Sequence, residues 1–125
     1  DIDPGVLHLA ERAEYGAFAF SEIAPELRAR FFEGGNKLRP EIKRMVRFEQ
    51  LDLMTEPLPT DVHLILCRNV IIYFERAVQE RLFSQFHAAL LPEGYLVLGK
   101  VETIFGAAAR LFRPIGSRER IFCRA

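Results

Sequence analysis

The sequence is poor in the features that mark several protein classes. Its two cysteines, Cys67 and Cys123, are too few for a disulfide framework. Its 17 basic and 17 acidic residues leave no net charge, which argues against a nucleic-acid binder with a basic face. No apolar run approaches the roughly 20 residues of a membrane helix, and the first residues lack the layout of a signal peptide. These absences predict a cytoplasmic protein in a reducing compartment, with no nucleic-acid partner and no membrane insertion.

Familiar catalytic motifs are also absent. The sequence has no GxGxxG or Walker loop, since its only adjacent glycines are Gly34 and Gly35. No serine sits in a nucleophile elbow, so a hydrolase has little support. The three histidines, His8, His63 and His87, stand far apart and near no cysteine-rich pair. We therefore expect no metal site and interpret the histidines as structural.

What the sequence does have is a large apolar fraction. Half of its 125 residues are hydrophobic and 27% are charged, which favours a single folded domain over disorder. The chain opens on DIDPGV, with no methionine, at the point where a helix is about to begin. We therefore expect it to be a fragment of a longer protein.

Hydrophobic periodicity predicts alternating strands and helices. Asp3 as N-cap and Pro4 as first helical residue predict a helix that ends near Gly16. A second helical pattern, over residues 21–32, is broken near Pro25. Further predictions are a turn at Gly34-Gly35-Asn36, strands at Val46–Leu53, Val62–Cys67 and Tyr95–Leu98, a helix at Glu75–Leu91, and a terminal hairpin of Leu111–Ile115 and Arg120–Cys123 around Gly116-Ser117. The predicted helix carries one apolar stripe, formed by Val78, Leu82, Phe86, Ala89 and Leu90.

This order is typical of a largely parallel sheet covered by helices, with an antiparallel edge. In such sheets ligands bind beyond the carboxyl ends of the strands. Function is therefore expected in the residues that follow the strands, which are Asp1, Asp3, Asp52, Leu53, residues 68–73 and residues 99–102.

One segment has a far more distinctive sequence than these general patterns of strands and helices. Residues 66–74 read LCRNVIIYF, at the end of an apolar strand, and QERL follows shortly after. With the opening DID, the RFF…RPEIKRMVRF…DLM segment and the late LVLGKVET…LFRPIGSRERIF, this text resembles the chemotaxis receptor methyltransferase family over essentially the whole chain. The late segment is similar to the form found in receptor-methyltransferase-like domains of larger signalling proteins.

The resemblance implies an enzyme that uses S-adenosylmethionine to methylate receptor glutamates, releasing S-adenosylhomocysteine. It implies an α/β fold with a Rossmann-like methyltransferase sheet, present here in part. Residues 1–125 would be a partial catalytic domain, with 17–45 as a small inserted subdomain and an antiparallel hairpin at the C-terminus. The family's helical domain, first strand and cofactor loop would precede Asp1, so we expect the fragment alone to be inactive and prone to self-association. The implied partner is the cytoplasmic domain of chemotaxis receptors or of related signalling proteins.

The resemblance also implies cofactor contacts. Asp1 matches an acidic residue that accepts the ribose hydroxyls, or else is a frayed terminus. Asp52 and Leu53 match residues that bond the adenine amino group and cover the ring, although Asp52 also suits a turn cap. Asn69 and Val70 match a cofactor-contacting pair, in which Asn69 offers both donors and acceptors. Asn69 is alternatively a residue that satisfies the strand-to-helix turn.

Tyr73 and Arg68 are the predicted catalytic residues on the substrate side. A glutamate acceptor is already ionised at pH 7, so methyl transfer needs positioning more than a strong base. Tyr73 would orient the nucleophile, and Arg68 would pair with a carboxylate. The structural alternatives are packing of Tyr73 with Phe74 and a loop-anchoring role for Arg68.

Two further points stay open at the level of sequence. The basic segment Lys37–Arg47 is either a docking face for an acidic receptor helix or an ordinary solvated surface. The chain as a whole is either part of an active methyltransferase or a non-catalytic, methyltransferase-like module that binds a signalling partner.

Overall fold

A computed structural model describes residues 1–116 and 118–125, which divide into two compact units, Asp1–Asp52 and Leu53–Ala125. Ser117, part of the predicted hairpin turn, lies outside the described residues. Within the described residues, no helix combines the length and apolarity that crossing a membrane requires.

The first unit is mainly helical. Its α-helices α1, α2 and α3 each begin at a proline, whose fixed φ suits the first helical position. The Asp3 carboxylate accepts hydrogen bonds from the backbone of Gly5 (2.7 Å) and Val6 (3.3 Å), which confirms the predicted N-cap. The elements are α1 (Pro4–Arg12), a 3₁₀ helix (Ala17–Phe20), α2 (Pro25–Phe31), strands β1 (Phe32–Glu33) and β2 (Lys37–Leu38), and α3 (Pro40–Lys43).

Three sequence predictions fail in this unit. The first helix ends at Arg12 and not near Gly16, because Ala13 adopts a left-handed conformation (φ 54°) and closes the helix. Pro25 starts α2 instead of breaking the predicted helix.

No regular strand forms over Val46–Leu53, because only two backbone hydrogen bonds join this stretch to Asp1. The Asp1 amino group donates to the Glu49 carbonyl at 3.2 Å, and the Leu51 N–H donates to the Asp1 carbonyl at 3.0 Å. No ladder of strand hydrogen bonds follows.

The turn between β1 and β2 agrees with the sequence, and an aromatic cluster packs in the same unit. Gly34 and Gly35 both have positive φ, as the predicted turn requires. Phe20 and Phe32 stack edge to face at 4.9 Å between ring centroids, and the Arg28 guanidinium lies 4.0 Å from the centre of the Phe20 ring.

The second unit is an α/β layer built on a four-stranded sheet of order β3-β4-β6-β5. Strands β3 and β4 are parallel and the terminal hairpin of β5 and β6 is antiparallel, as the sequence predicted. Strand β4 also pairs with β6 antiparallel, so the described sheet is mixed and not largely parallel. Strand β4, which the sequence predicted to begin at Tyr95, begins at Leu90. The elements are β3 (Val62–Cys67), 3₁₀ (Ile71–Tyr73), α4 (Arg76–Ala89), β4 (Leu90–Leu98), 3₁₀ (Gly106–Leu111), β5 (Phe112–Ile115) and β6 (Ile121–Arg124).

Helix α4 covers one face of this sheet. Its apolar stripe contributes Leu82, Phe83 and Phe86 to a buried core that also contains Leu96 of β4 and Phe122 of β6. The predicted period-3.6 stripe therefore forms the core contact of the helix. Strand β3 lies at the sheet edge and leaves Leu64 and Leu66 exposed on the other face.

Candidate functional site

The loop that follows β3 carries most of the predicted site residues. Strand β3 ends at the buried Cys67, and Asn69 then adopts a left-handed conformation (φ 59°) before the 3₁₀ helix at Ile71–Tyr73. Asparagine tolerates this conformation better than most residues, since its short polar side chain can bond locally. The turn presents three successive backbone N–H groups, those of Asn69, Val70 and Ile71, to one acceptor.

Glu102 binds all three of these N–H groups and one more. Its Oε1 accepts from Val70 (3.0 Å) and Ile71 (2.9 Å), and its Oε2 accepts from Asn69 (3.0 Å) and from Gly99 (2.6 Å). The side chain is only 4% exposed. One carboxylate thus joins the loop after β3 to the loop after β4, because Gly99 directly follows β4.

The protonation of Glu102 follows from this environment. Burial acts to raise the pKa of the carboxyl group, but the four backbone donors, beginning with Gly99, together hold that pKa below its usual value. Glu102 is therefore an anion at neutral pH. It acts as a fixed acceptor that shapes the loop.

Gly99 is the second residue that shapes the loop. A Cβ atom at this position would lie 2.3 Å from Asn69 Oδ1, 2.8 Å from Glu102 Oε2 and 3.0 Å from the backbone nitrogen of Asn69. A side chain cannot be added without moving the Asn69 loop. Sequence reasoning placed residues 99–102 at the sheet's carboxyl edge but assigned neither Gly99 nor Glu102 a role, although a glycine and an acid three residues apart after a strand were a usable signal.

Two predicted cofactor contacts line one cavity. Leu53 and Val70 both border an open, largely apolar cavity of about 350 Å³, together with Leu58, Cys67 and Phe86. This volume falls within the ordinary range for small-molecule sites, about 300–1,000 Å³. The apolar wall of Leu53 and Val70 suits a flat aromatic ring, and the polar Asn69 is adjacent to Val70 in the loop.

The predicted catalytic residues are open to solvent. Tyr73 is 80% exposed, so it does not fill a core position beside Phe74. Arg68 is exposed as well, and among the described residues its side chain forms no hydrogen bond or ion pair. Both side chains are therefore available to a ligand.

The two predicted acidic contacts belong to the first unit. Asp1 is not a frayed terminus, because its Oδ1 accepts from the backbone of Asp3 at 2.9 Å and its backbone bonds residues 49 and 51. Asp52 is half-buried at the end of that unit. Their contacts with a cofactor stay predictions.

Cys67 has no nucleophilic role in this arrangement. Burial, and secondarily the negative charge of Glu102, raises the pKa of the Cys67 thiol to about 11, so it is neutral at physiological pH. Over the part of the chain that the structure describes, no three His, Cys, Asp or Glu side chains converge as a metal site would require.

These features define a class of protein. A parallel strand–helix–strand unit carries a polar loop after its first strand and an apolar cavity that runs along that strand to the loop, and an antiparallel hairpin extends the sheet. This is the arrangement of an α/β domain that binds a nucleotide-like cofactor. The chain belongs to the CheR methyltransferase family, SAM-binding domain, whose family model matches residues 1–121.

Individual relatives agree with this assignment. The chain is 34% identical to a probable chemotaxis protein methyltransferase of Rhizobium etli, over 93% of this chain and 46% of that protein. It is 33% identical to chemotaxis protein methyltransferase 2 of Pseudomonas aeruginosa, over 93% of this chain and 44% of the relative. An uncharacterized 104.1 kDa protein of Rhodobacter capsulatus is 30% identical over 98% of this chain and 13% of its own length. The chain thus spans somewhat less than half the length of the two methyltransferase relatives.

Proposed function

We propose that this chain is the cofactor-binding portion of an enzyme that transfers a methyl group from S-adenosylmethionine to glutamate side chains of chemotaxis receptors. The proposed substrate is the cytoplasmic domain of a receptor or related signalling protein, so the enzyme works in the cytoplasm. The observation that carries the proposal is the Asn69–Val70 loop, held by Glu102 beside an apolar cavity in a chain of a SAM-binding family.

The residues present suit the cofactor. Leu53 and Val70 provide apolar surfaces for the adenine ring, and the Asn69 amide provides a donor and an acceptor for its polar edge or for the amino-acid end. The absence of a Cβ at Gly99 leaves the Asn69 side chain its position. Asp1 and Asp52 are the proposed acceptors for the ribose hydroxyls and the adenine amino group.

The chain's other contribution is to bind and orient the acceptor. When bound, S-adenosylmethionine supplies a methyl group activated by the neighbouring sulfonium. A glutamate carboxylate is ionised at pH 7, so no side chain of this chain needs to remove a proton from it. The exposed Tyr73 hydroxyl is the proposed hydrogen-bond donor to that carboxylate, and the exposed Arg68 is its proposed ion-pair partner. Orientation and exclusion of water supply the rate enhancement that these groups contribute.

The decisive measurement is calorimetry of S-adenosylhomocysteine binding to the full-length protein and to its Asn69→Gly variant. Glycine keeps the left-handed backbone of residue 69 and removes the whole side chain with its amide, while the backbone N–H that binds Glu102 remains. Loss of one or two hydrogen bonds, at about 1–3 kcal/mol, predicts a tenfold to hundredfold weaker affinity.

Asn36→Gly is the matched control, since Asn36 lies in the exposed turn of the first unit and uses its backbone carbonyl for its hydrogen bond to Tyr15. Its affinity should equal that of the unaltered protein. Full-length protein that does not bind S-adenosylhomocysteine would instead support the non-catalytic module.

A further inference from the structure

A second cavity lies next to the Asn69 loop, at Arg68, and is strongly basic. Its volume is about 350 Å³, and its apolar floor comes from the ends of β4 and β6. Its charged lining residues are Arg68, Lys100, Arg118, Glu119 and Arg120. Four cations and one carboxylate leave three positive charges in excess, in a chain with no net charge overall. We call this cavity the basic pocket.

The cations of the basic pocket are available to a ligand. Among the described residues, Arg68, Lys100 and Arg118 form no ion pair, and Arg120 uses its Nε to bond the backbone carbonyl of Lys100 at 3.2 Å. That bond places the Arg120 and Lys100 segments together at the rim.

The basic segment of the first unit is different, because several of its cations are already engaged. Lys37 pairs with Glu14 at 3.4 Å and Arg47 pairs with Glu49 at 2.5 Å. Arg39 donates to the backbone carbonyl of Ala29. Among the described residues, the basic pocket therefore has four cations without a carboxylate partner, whereas the segment Lys37–Arg47 has three, Arg39, Lys43 and Arg44.

The position of the basic pocket connects it to the proposed cofactor site. Arg68 directly precedes Asn69, and Lys100 directly follows Gly99. Asn69 and Gly99 are in close contact and share the Glu102 carboxylate. The pocket therefore adjoins the loop whose residues are proposed to bind the cofactor and the acceptor.

We infer that the basic pocket binds acidic side chains of the polypeptide substrate, next to the glutamate that is methylated. The inference rests on the proposed function and names how that substrate docks. The pocket is large enough for one or two side chains, and its four cations line the same open cavity as the apolar Val97, Leu98 and Ile121. This shape suits carboxylate side chains better than the regularly spaced phosphates of a nucleic acid.

The test measures binding of a fluorescently labelled, glutamate-rich peptide to the full-length protein by anisotropy, without cofactor. Lys100→Gln/Arg118→Gln removes two cations and leaves the Arg120 bond and the Asn69 loop in place. Because exposed ion pairs are individually weak, the double variant should bind the peptide roughly threefold to twentyfold less tightly. Affinity for S-adenosylhomocysteine should not change.

Lys43→Gln/Arg44→Gln is the matched control, since it removes two cations of the first unit that form no ion pair among the described residues. It should bind the peptide as the unaltered protein does, and a peptide with glutamine in place of glutamate should bind neither form. Unchanged peptide affinity in Lys100→Gln/Arg118→Gln would overturn the inference, as would a single-stranded oligonucleotide that displaces the peptide at lower concentration. The peptide is measured without cofactor, so a failure of the proposed function, seen as no S-adenosylhomocysteine binding, is a separate result.

Discussion

Replacing Glu102 by glutamine should loosen the loops after β3 and β4 and weaken cofactor binding. Each carboxylate oxygen holds one buried donor and one part-buried donor: Ile71 and Val70 on Oε1, Gly99 and Asn69 on Oε2. A glutamine side chain has only one acceptor oxygen. In either orientation of the amide, its NH₂ group would face one buried and one part-buried backbone N–H, and neither of these donors would have an acceptor. An unsatisfied buried donor costs about 1–3 kcal/mol, and the lost charge adds to this. The expected loss is about 2–4 kcal/mol of unfolding free energy, out of about 5–15 kcal/mol for a typical domain.

Urea denaturation of the full-length protein would measure this loss, and calorimetry with S-adenosylhomocysteine would measure the accompanying fall in affinity. Glu93→Gln is the control, because Glu93 is an exposed carboxylate, and its substitution should change stability by no more than about 0.5 kcal/mol. An unfolding midpoint for Glu102→Gln equal to that of the control, with unchanged cofactor affinity, would refute the anchoring role of Glu102.

The effect should also depend on pH in a defined direction. The pKa of Glu102 is lower in the folded chain than its ordinary value of 4.5. The stability that the ionised form contributes is therefore complete above pH 4.5 and is lost as the pH falls through the folded-state pKa. The difference in stability between the unaltered protein and Glu102→Gln should shrink over the same range, and a difference that grew on acidification would contradict the assignment.

Three other changes test separate parts of the structure. Gly99→Ala puts a Cβ 2.3 Å from Asn69 Oδ1, so it should lower S-adenosylhomocysteine affinity at least tenfold in calorimetry, whereas Gly16→Ala, where a Cβ meets nothing within 4 Å, should not. Tyr73→Phe should reduce the methylation rate and leave cofactor affinity and unfolding midpoint unchanged, because the exposed ring makes no core contact; an unchanged rate would remove Tyr73 from the site. Leu66→Lys charges the exposed edge strand β3 and should reduce self-association of the 125-residue chain in sedimentation; a monomeric unaltered chain would contradict the expected self-association.

The sequence predicted the elements whose pattern is local. Strand β3 has the predicted bounds, because a six-residue run with five apolar residues between turn residues leaves little choice of strand limits. Helix α4 keeps its predicted stripe, because residues such as Leu82 and Phe86 repeat at helical spacing. The predicted strand at Val46–Leu53 was wrong, because alternation reports a favourable side-chain pattern and contains no information about a partner strand.

The site was predictable to a lesser degree. The family resemblance identified Asn69 and Val70, and the structure places Val70 on the same cavity as Leu53. The role of Glu102 was not predictable, because its bonds join residues 31 to 33 positions apart in the chain and arise only when β3 and β4 lie side by side. The left-handed backbone at Asn69 was hidden for a similar reason, since asparagine is compatible with many turns and does not require this one.

The single carboxylate that joins two loops also makes them one dynamic unit. The amide protons of Asn69, Val70, Ile71 and Gly99 are all released when Glu102 leaves its place, so their hydrogen exchange should report one shared opening event instead of four. A molecule that holds Asn69 in place would slow that opening, and with it the motion of the segment at Gly99 and the adjoining rim of the basic pocket. A cofactor bound beside Asn69 would thereby order the rim of the basic pocket before the acidic substrate binds there.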